Sequence, residues 1–119
     1  MWMMRIAAAL FALLFAVCSF ARGPLAPGEI TVAQLPAEGQ AMLAQIRKGG
    51  PFAHRQDGTV FGNREGLLPQ QRHGYYHEYT VTTPGARDRG ARRIISAGVP
   101  PVDFFYTDDH YRSFKRIRE

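Results

Sequence analysis

Residues 74–95 read GYYHEYTVTTPGARDRGARRII. Tyr75 to Thr83 is rich in aromatic and β-branched residues and predicts the longest strand of the chain. Thr83-Pro84-Gly85 is a turn signal, and Arg92 to Ala97 predicts the next strand. The stretch therefore reads as two neighbouring antiparallel strands. Alternation puts Tyr76, Glu78, Thr80 and Thr82 on one face and Tyr75, His77, Tyr79, Val81 and Thr83 on the other. The second set carries more apolar bulk and is the better core face, which leaves Glu78 on the open one. Four arginines, Arg87, Arg89, Arg92 and Arg93, fall within seven positions after the turn. If no bulge intervenes, Arg87, Arg89 and Arg93 share a parity and Arg92 opposes them. A carboxylate able to take a proton, beside guanidinium groups able to hold oxygens, suits chemistry on a phosphate. Two blander readings stand beside that one. Glu78 is equally a solvated strand glutamate, and the arginines can form a basic surface paired with Asp88, Asp103 and Glu119, although a cluster this dense repels itself without an anion, which favours the phosphate site.

Working outward, Pro36 opens a helix of about a dozen residues, with an apolar stripe at Met42, Leu43 and Ile46 and a stop at Gly49-Gly50. Ile30-Thr31-Val32 predicts a short extended segment before it. After Pro51 the pattern turns to short strands: Thr59–Phe61, the two above, Phe104–Thr107 and Ser113–Ile117. One N-terminal helix packed on an antiparallel β-sheet makes an α+β domain.

The first residues do not belong to that domain. Met1 to Arg5 carries one positive charge, Ile6 to Phe20 is an almost continuous apolar run of 15 residues, and Ser19-Phe20-Ala21 suits signal peptidase. This predicts a secretory signal peptide over residues 1–21. A transmembrane anchor is the competing reading, but the run falls short of the ~20 residues that span a bilayer. Lipoprotein processing at Cys18 is disfavoured by Val17, where a small residue is expected. Cleavage after Ala21 leaves residues 22–119, with 22–29 a Pro- and Gly-rich leader, and loss of Arg5 lowers the formal charge from +5 to +4. The only cysteine, Cys18, leaves too. The exported domain then holds itself together without a disulfide, and thiolate chemistry and zinc-thiolate sites are excluded. Arginine outnumbers lysine 13 to 2, which favours planar recognition of phosphate or carboxylate.

Among His54, His73, His77 and His110, the last lies in the turn Thr107-Asp108-Asp109-His110-Tyr111. A loop histidine beside an aromatic suits a proton donor, although a lone histidine is more often structural. His73 and His77 fall on a turn and a strand rather than one helical face, so no metal site is expected.

Laid out in order, GPF (50–52), QDGTVFGNRE (56–65), LLP (67–69), the stretch 74–95 and YTDDHYRSF (106–114) resemble the microbial guanyl-specific ribonucleases, the secreted bacterial branch of the barnase-like superfamily. The resemblance implies Glu78 as general base, His110 as general acid, and Arg89 and Arg93 as the phosphate clamp. It implies guanine recognition by Phe61, Asn63, Arg64 and Glu65, with the Glu65 carboxylate accepting from the ring N–H and amino group. Tyr111 would be the aromatic beside the phosphate. The implied activity is metal- and cofactor-free cleavage of single-stranded RNA after guanosine through a 2′,3′-cyclic phosphate. The implied setting is extracellular, as a monomer without membrane attachment, with a small acidic barstar-like inhibitor protein as a possible partner. A non-catalytic basic RNA-binding module is the alternative, but an acid inside a phosphate site would only repel RNA in such a module. The chain departs from the family in lacking the disulfide many secreted relatives carry. It also has Gly62 where relatives often have a larger polar residue.

Overall fold

The computed structural model describes residues 28–119. The predicted signal peptide and all of the leader but Gly28 and Glu29 lie outside the described residues. The elements are β1 (Glu29–Thr31), α1 (Ala37–Lys48), β2 (Thr59–Val60), β3 (Tyr76–Thr80), β4 (Arg93–Ala97), β5 (Asp103–Thr107) and β6 (Lys115–Arg118). A 3-10 turn, Val32–Gln34, links β1 to α1. It is held by a capping box in which Thr31 N–H donates to Gln34 Oε1 at 2.9 Å and Gln34 N–H donates to Thr31 Oγ1 at 3.2 Å.

The helix forms where the apolar spacing placed it. Gly39, Leu43 and Ile46 are its buried positions, one stripe facing the sheet. It ends at Gly49, whose φ of 83° a side chain would resist. Gly49 N–H donates to the Ile46 carbonyl and Gly50 N–H to that of Gln45, the Schellman pairing that satisfies orphan helix carbonyls.

The strands form one six-stranded sheet in the order β1-β6-β5-β4-β3-β2. The central pairs are antiparallel, with Glu78 opposite Ile95, Thr80 opposite Arg93 and Arg93 opposite Thr107. The sheet is not wholly antiparallel as the sequence suggested: β1 runs parallel to β6, with Ile30 beside Ile117. Parallel neighbours need a long crossover, and here most of the domain lies between the two strands. Glu29, placed by composition at the end of the leader, is the first residue of β1.

Helix α1 covers one face over Leu35, Val81, Ile94, Phe104, Tyr106 and Ile117. Glu78 lies on the other face, as alternation predicted. That face is not bare, however. A second cluster of Leu68, Tyr76, Ile95 and Ala97 lies on it, flanked by Phe61, Tyr111 and Phe114. Tyr76, grouped with Glu78 on the open face, is buried there because loops fold across that end of the sheet. β3 is also shorter than the predicted Tyr75–Thr83. Tyr75 belongs to a turn closed by its N–H on the Arg72 carbonyl at 3.1 Å, and the ladder ends where Val81 N–H meets the Arg92 carbonyl at 3.1 Å.

Candidate active site

Glu78 sits mid-strand on β3, its side chain 17% exposed. Its Oε1 lies 3.7 Å from Arg89 Nη1, and its Oε2 accepts a hydrogen bond from Tyr111 Oη at 3.1 Å. Arg89 also donates to Thr80 Oγ1 at 3.1 Å, which ties the arginine loop down to β3. That loop bends at Gly90, where φ is 66° and an added Cβ would stand 2.6 Å from Thr83 Oγ1. Only glycine fits such a position.

Arg93 opens β4 and is 2% exposed. Its Nη1 donates to the Arg92 carbonyl at 2.7 Å and the Arg89 carbonyl at 3.4 Å, and its guanidinium carbon lies 5.9 Å from the centroid of the Tyr111 ring. Its Nε finds no acceptor among the described residues. No carboxylate among the described residues is within ion-pair distance of it, and a buried cation so placed is costly unless an anion joins it. The parity argument holds for Arg92, which points to the opposite face, 3.9 Å from Glu38 of α1. Arg87 is exposed.

The β5–β6 loop brings His110 and Tyr111 to the same place. The two adjacent residues have φ of 55° and 71°, in the left-handed region. Non-glycine residues adopt that region at a cost on the order of 1 kcal/mol each. His110 N–H donates to the Ala91 carbonyl at 3.0 Å, fastening this loop to the arginine loop. The His110 ring is exposed and its centroid lies 4.9 Å from that of Tyr111. Tyr111 thus connects the His110 loop to Glu78. Burial, then the nearby Glu78 carboxylate, push the Tyr111 hydroxyl above its usual pKa, so it stays a donor at neutral pH.

Phe61 extends the site, its ring stacked on Tyr111 with centroids 5.1 Å apart. The loop after it is pinned by Asn63, whose φ is 51°. The Asn63 side-chain amide donates to the Leu68 carbonyl at 3.0 Å and accepts from Leu68 N–H at 3.1 Å. This closure leaves the N–H groups of Asn63, Arg64 and Glu65 with no acceptor among the described residues. A cavity of about 470 Å³ opens here, lined by Phe61, Asn63, Arg64, Gln70, His73 and Tyr76 among others. Glu65 is exposed and does not contribute to that lining.

The structure therefore brings together Glu78, Arg89, Arg93, His110, Tyr111 and Phe61, and places Asn63 and Arg64 on the adjoining cavity. Motif reading missed the far wall at Gln70–His73, whose polar loop composition gave no signal of its own. It also missed Thr107, Asp109 and Ser113, which hold the His110 loop. Their hydroxyl and carboxylate spacing hinted only at a turn.

A helix-backed sheet whose open face gathers a carboxylate, two arginines and a histidine loop has the charges to suit an anionic substrate such as a phosphate. The family model described as ribonuclease matches residues 23–118, and the chain belongs to that family. It is 53% identical over 92 residues to guanyl-specific ribonuclease Sa3 of Kitasatospora aureofaciens, covering 77% of this chain and 64% of Sa3, just under two thirds of that relative. Identity to ribonuclease Sa of the same organism is 52%, over 76% of this chain and 93% of Sa. Ribonuclease St of Saccharopolyspora erythraea is 51% identical, over 73% and 84% respectively. Among solved structures, ribonuclease Sa2 complexed with mononucleotides superposes with a TM-score of 0.75 at 42% identity, covering 81% of this chain and 98% of Sa2. A crystal structure of Sa2 with guanosine-2′-cyclophosphate gives 0.72 at 43%, covering 78% and 97%.

Proposed function

We propose that this domain is an extracellular endoribonuclease that cleaves single-stranded RNA on the 3′ side of guanosine. The observation that carries the reading is the convergence on one face of Glu78, held by Tyr111 and Arg89, with the buried and incompletely partnered Arg93. RNA supplies its own nucleophile, the ribose 2′-OH. Glu78 accepts the 2′ proton as that oxygen attacks phosphorus. His110, protonated, donates to the departing 5′ oxygen. Arg89 and Arg93 hold the phosphoryl oxygens as charge builds on them, and this supplies the positive charge without a metal. The product is a 2′,3′-cyclic phosphate, which water opens with the acid and base roles exchanged. The free N–H groups of Asn63 and Arg64 suit guanine O6 and N7, and Glu65 takes the donor edge of the base. Adenine lacks that donor pair and leaves the carboxylate unmatched. The guanyl-specific names of the relatives and the guanosine-2′-cyclophosphate complex of Sa2 support this reading. Export by a signal peptide over residues 1–21, a monomeric state and restraint by a small acidic barstar-like inhibitor belong to the same proposal.

Glu78→Gln and His110→Ala should each lower transesterification of a GpN dinucleotide by about 10²–10⁴-fold with the fold intact. Cyclic phosphate formed at the wild-type rate by either variant would remove that residue from the mechanism.

A further inference from the structure

We propose that Asp109 is a positioning residue, which fixes the β5–β6 loop so that His110 meets the leaving group. The inference rests on the reading of His110 as the acid. The loop must hold His110 and Tyr111, at φ of 55° and 71°, in a region that neither side chain favours. What holds it is a closed set of hydrogen bonds centred on one carboxylate. Asp109 Oδ1 accepts from Thr107 Oγ1 at 2.8 Å and from Ser113 N–H at 3.0 Å, and Oδ2 accepts from Ser113 Oγ at 2.5 Å. Thr107 Oγ1 in turn accepts from Tyr111 N–H at 3.2 Å and Asp109 N–H at 3.4 Å. The bonds thus clamp the residues on both sides of His110 while the imidazole itself stays exposed. The same bonds, that from the Ser113 hydroxyl foremost, draw the Asp109 carboxyl down to a pKa of about 2, so it is an ionised acceptor at neutral pH. Its function is geometric: small displacements of a proton donor cost large factors in rate.

The test compares two substrates, GpC and guanosine 3′-(4-nitrophenyl phosphate), with wild type, Asp109→Asn, His110→Ala and Leu43→Ala. A nitrophenolate departs without a proton, so a defect in acid delivery disappears with it. Asp109→Asn should lower kcat on GpC by about 10- to 100-fold with KM little changed, and lower the rate on the nitrophenyl ester by much less. Leu43, in the core under α1, controls for stability, and its truncation should leave both rates near wild type below its melting temperature. Equal losses of Asp109→Asn on the two substrates, or no loss on GpC, overturns the inference. If instead His110→Ala itself shows no selectivity between the substrates, the acid assignment fails, whatever Asp109 does.

Discussion

At the scale of single residues, the site separates charges that looked alike in the sequence. Arg87, Arg89, Arg92 and Arg93 lie within seven positions, yet Arg93 is buried, Arg89 touches Glu78, Arg92 serves the helix face and Arg87 is exposed. Strand parity alone assigned Arg92 to the other face. It also grouped Arg87 and Arg89 with Arg93, but Arg87 is exposed, and Arg89 reaches Glu78 from a loop that bends at Gly90. Glu78 was legible as a site-face residue from alternation. Its hydrogen bond from Tyr111 spans 33 positions and had no local signal. Glu65 poses the opposite case: its motif is clear, but its side chain is exposed and free of the cavity lining. In the proposed mechanism it acts by contact with the base. Glu65→Ala should therefore reduce the GpN-to-ApN preference in kcat/KM by about 10-fold or more, the worth of a charged hydrogen-bonding pair. An unchanged ratio removes Glu65 as the base reader.

At the scale of elements, helix and strand positions followed from periodicity, while their ends followed from hydrogen bonds that periodicity does not carry. β6 begins at Lys115 rather than the expected Ser113, because Ser113 is engaged by Asp109. That loop has a pH signature. The folded pKa of Asp109, about 2, lies below its value of 3.8 in an unperturbed chain. Its stabilisation is complete above the unfolded value and is lost as pH falls through the folded one. The melting temperature of wild type should exceed that of Asp109→Asn above pH 4, with the gap closing toward pH 2 (a constant gap would mean the charge is not involved). The helix offers a second test. Gly39 is buried, but an added Cβ would meet Leu35, Pro36 and Val81 at 3.4 to 3.8 Å, ordinary contact distances. Gly39→Ala should stabilise the fold by about 0.5–1 kcal/mol through helix propensity, read by denaturant unfolding. Destabilisation would show that the helix–sheet contact has no slack.

At the scale of the whole molecule, the sheet is a divider. One face packs α1 over the larger core, and the other carries a smaller aromatic cluster that doubles as the floor of the site. The α+β class could be read from one helical stripe followed by short strands. The parallel β1–β6 pairing could not, since nothing in the three-residue edge strand β1 or in the four-residue β6 names its partner. The three loops that make the site come from Phe61–Leu68, Arg87–Arg92 and Asp108–Phe114, and they meet only because β2, β3, β4 and β5 are neighbours in register. Such a site should act without a resident metal and choose its bond by the base beside it. The direct measurement is incubation of residues 22–119 with a defined single-stranded RNA in excess EDTA, followed by mapping of every cut and its terminus. The account predicts cleavage after guanosine with 2′,3′-cyclic phosphate ends, undiminished by the chelator. Loss of cleavage in EDTA, or cuts distributed without regard to guanosine, would contradict it.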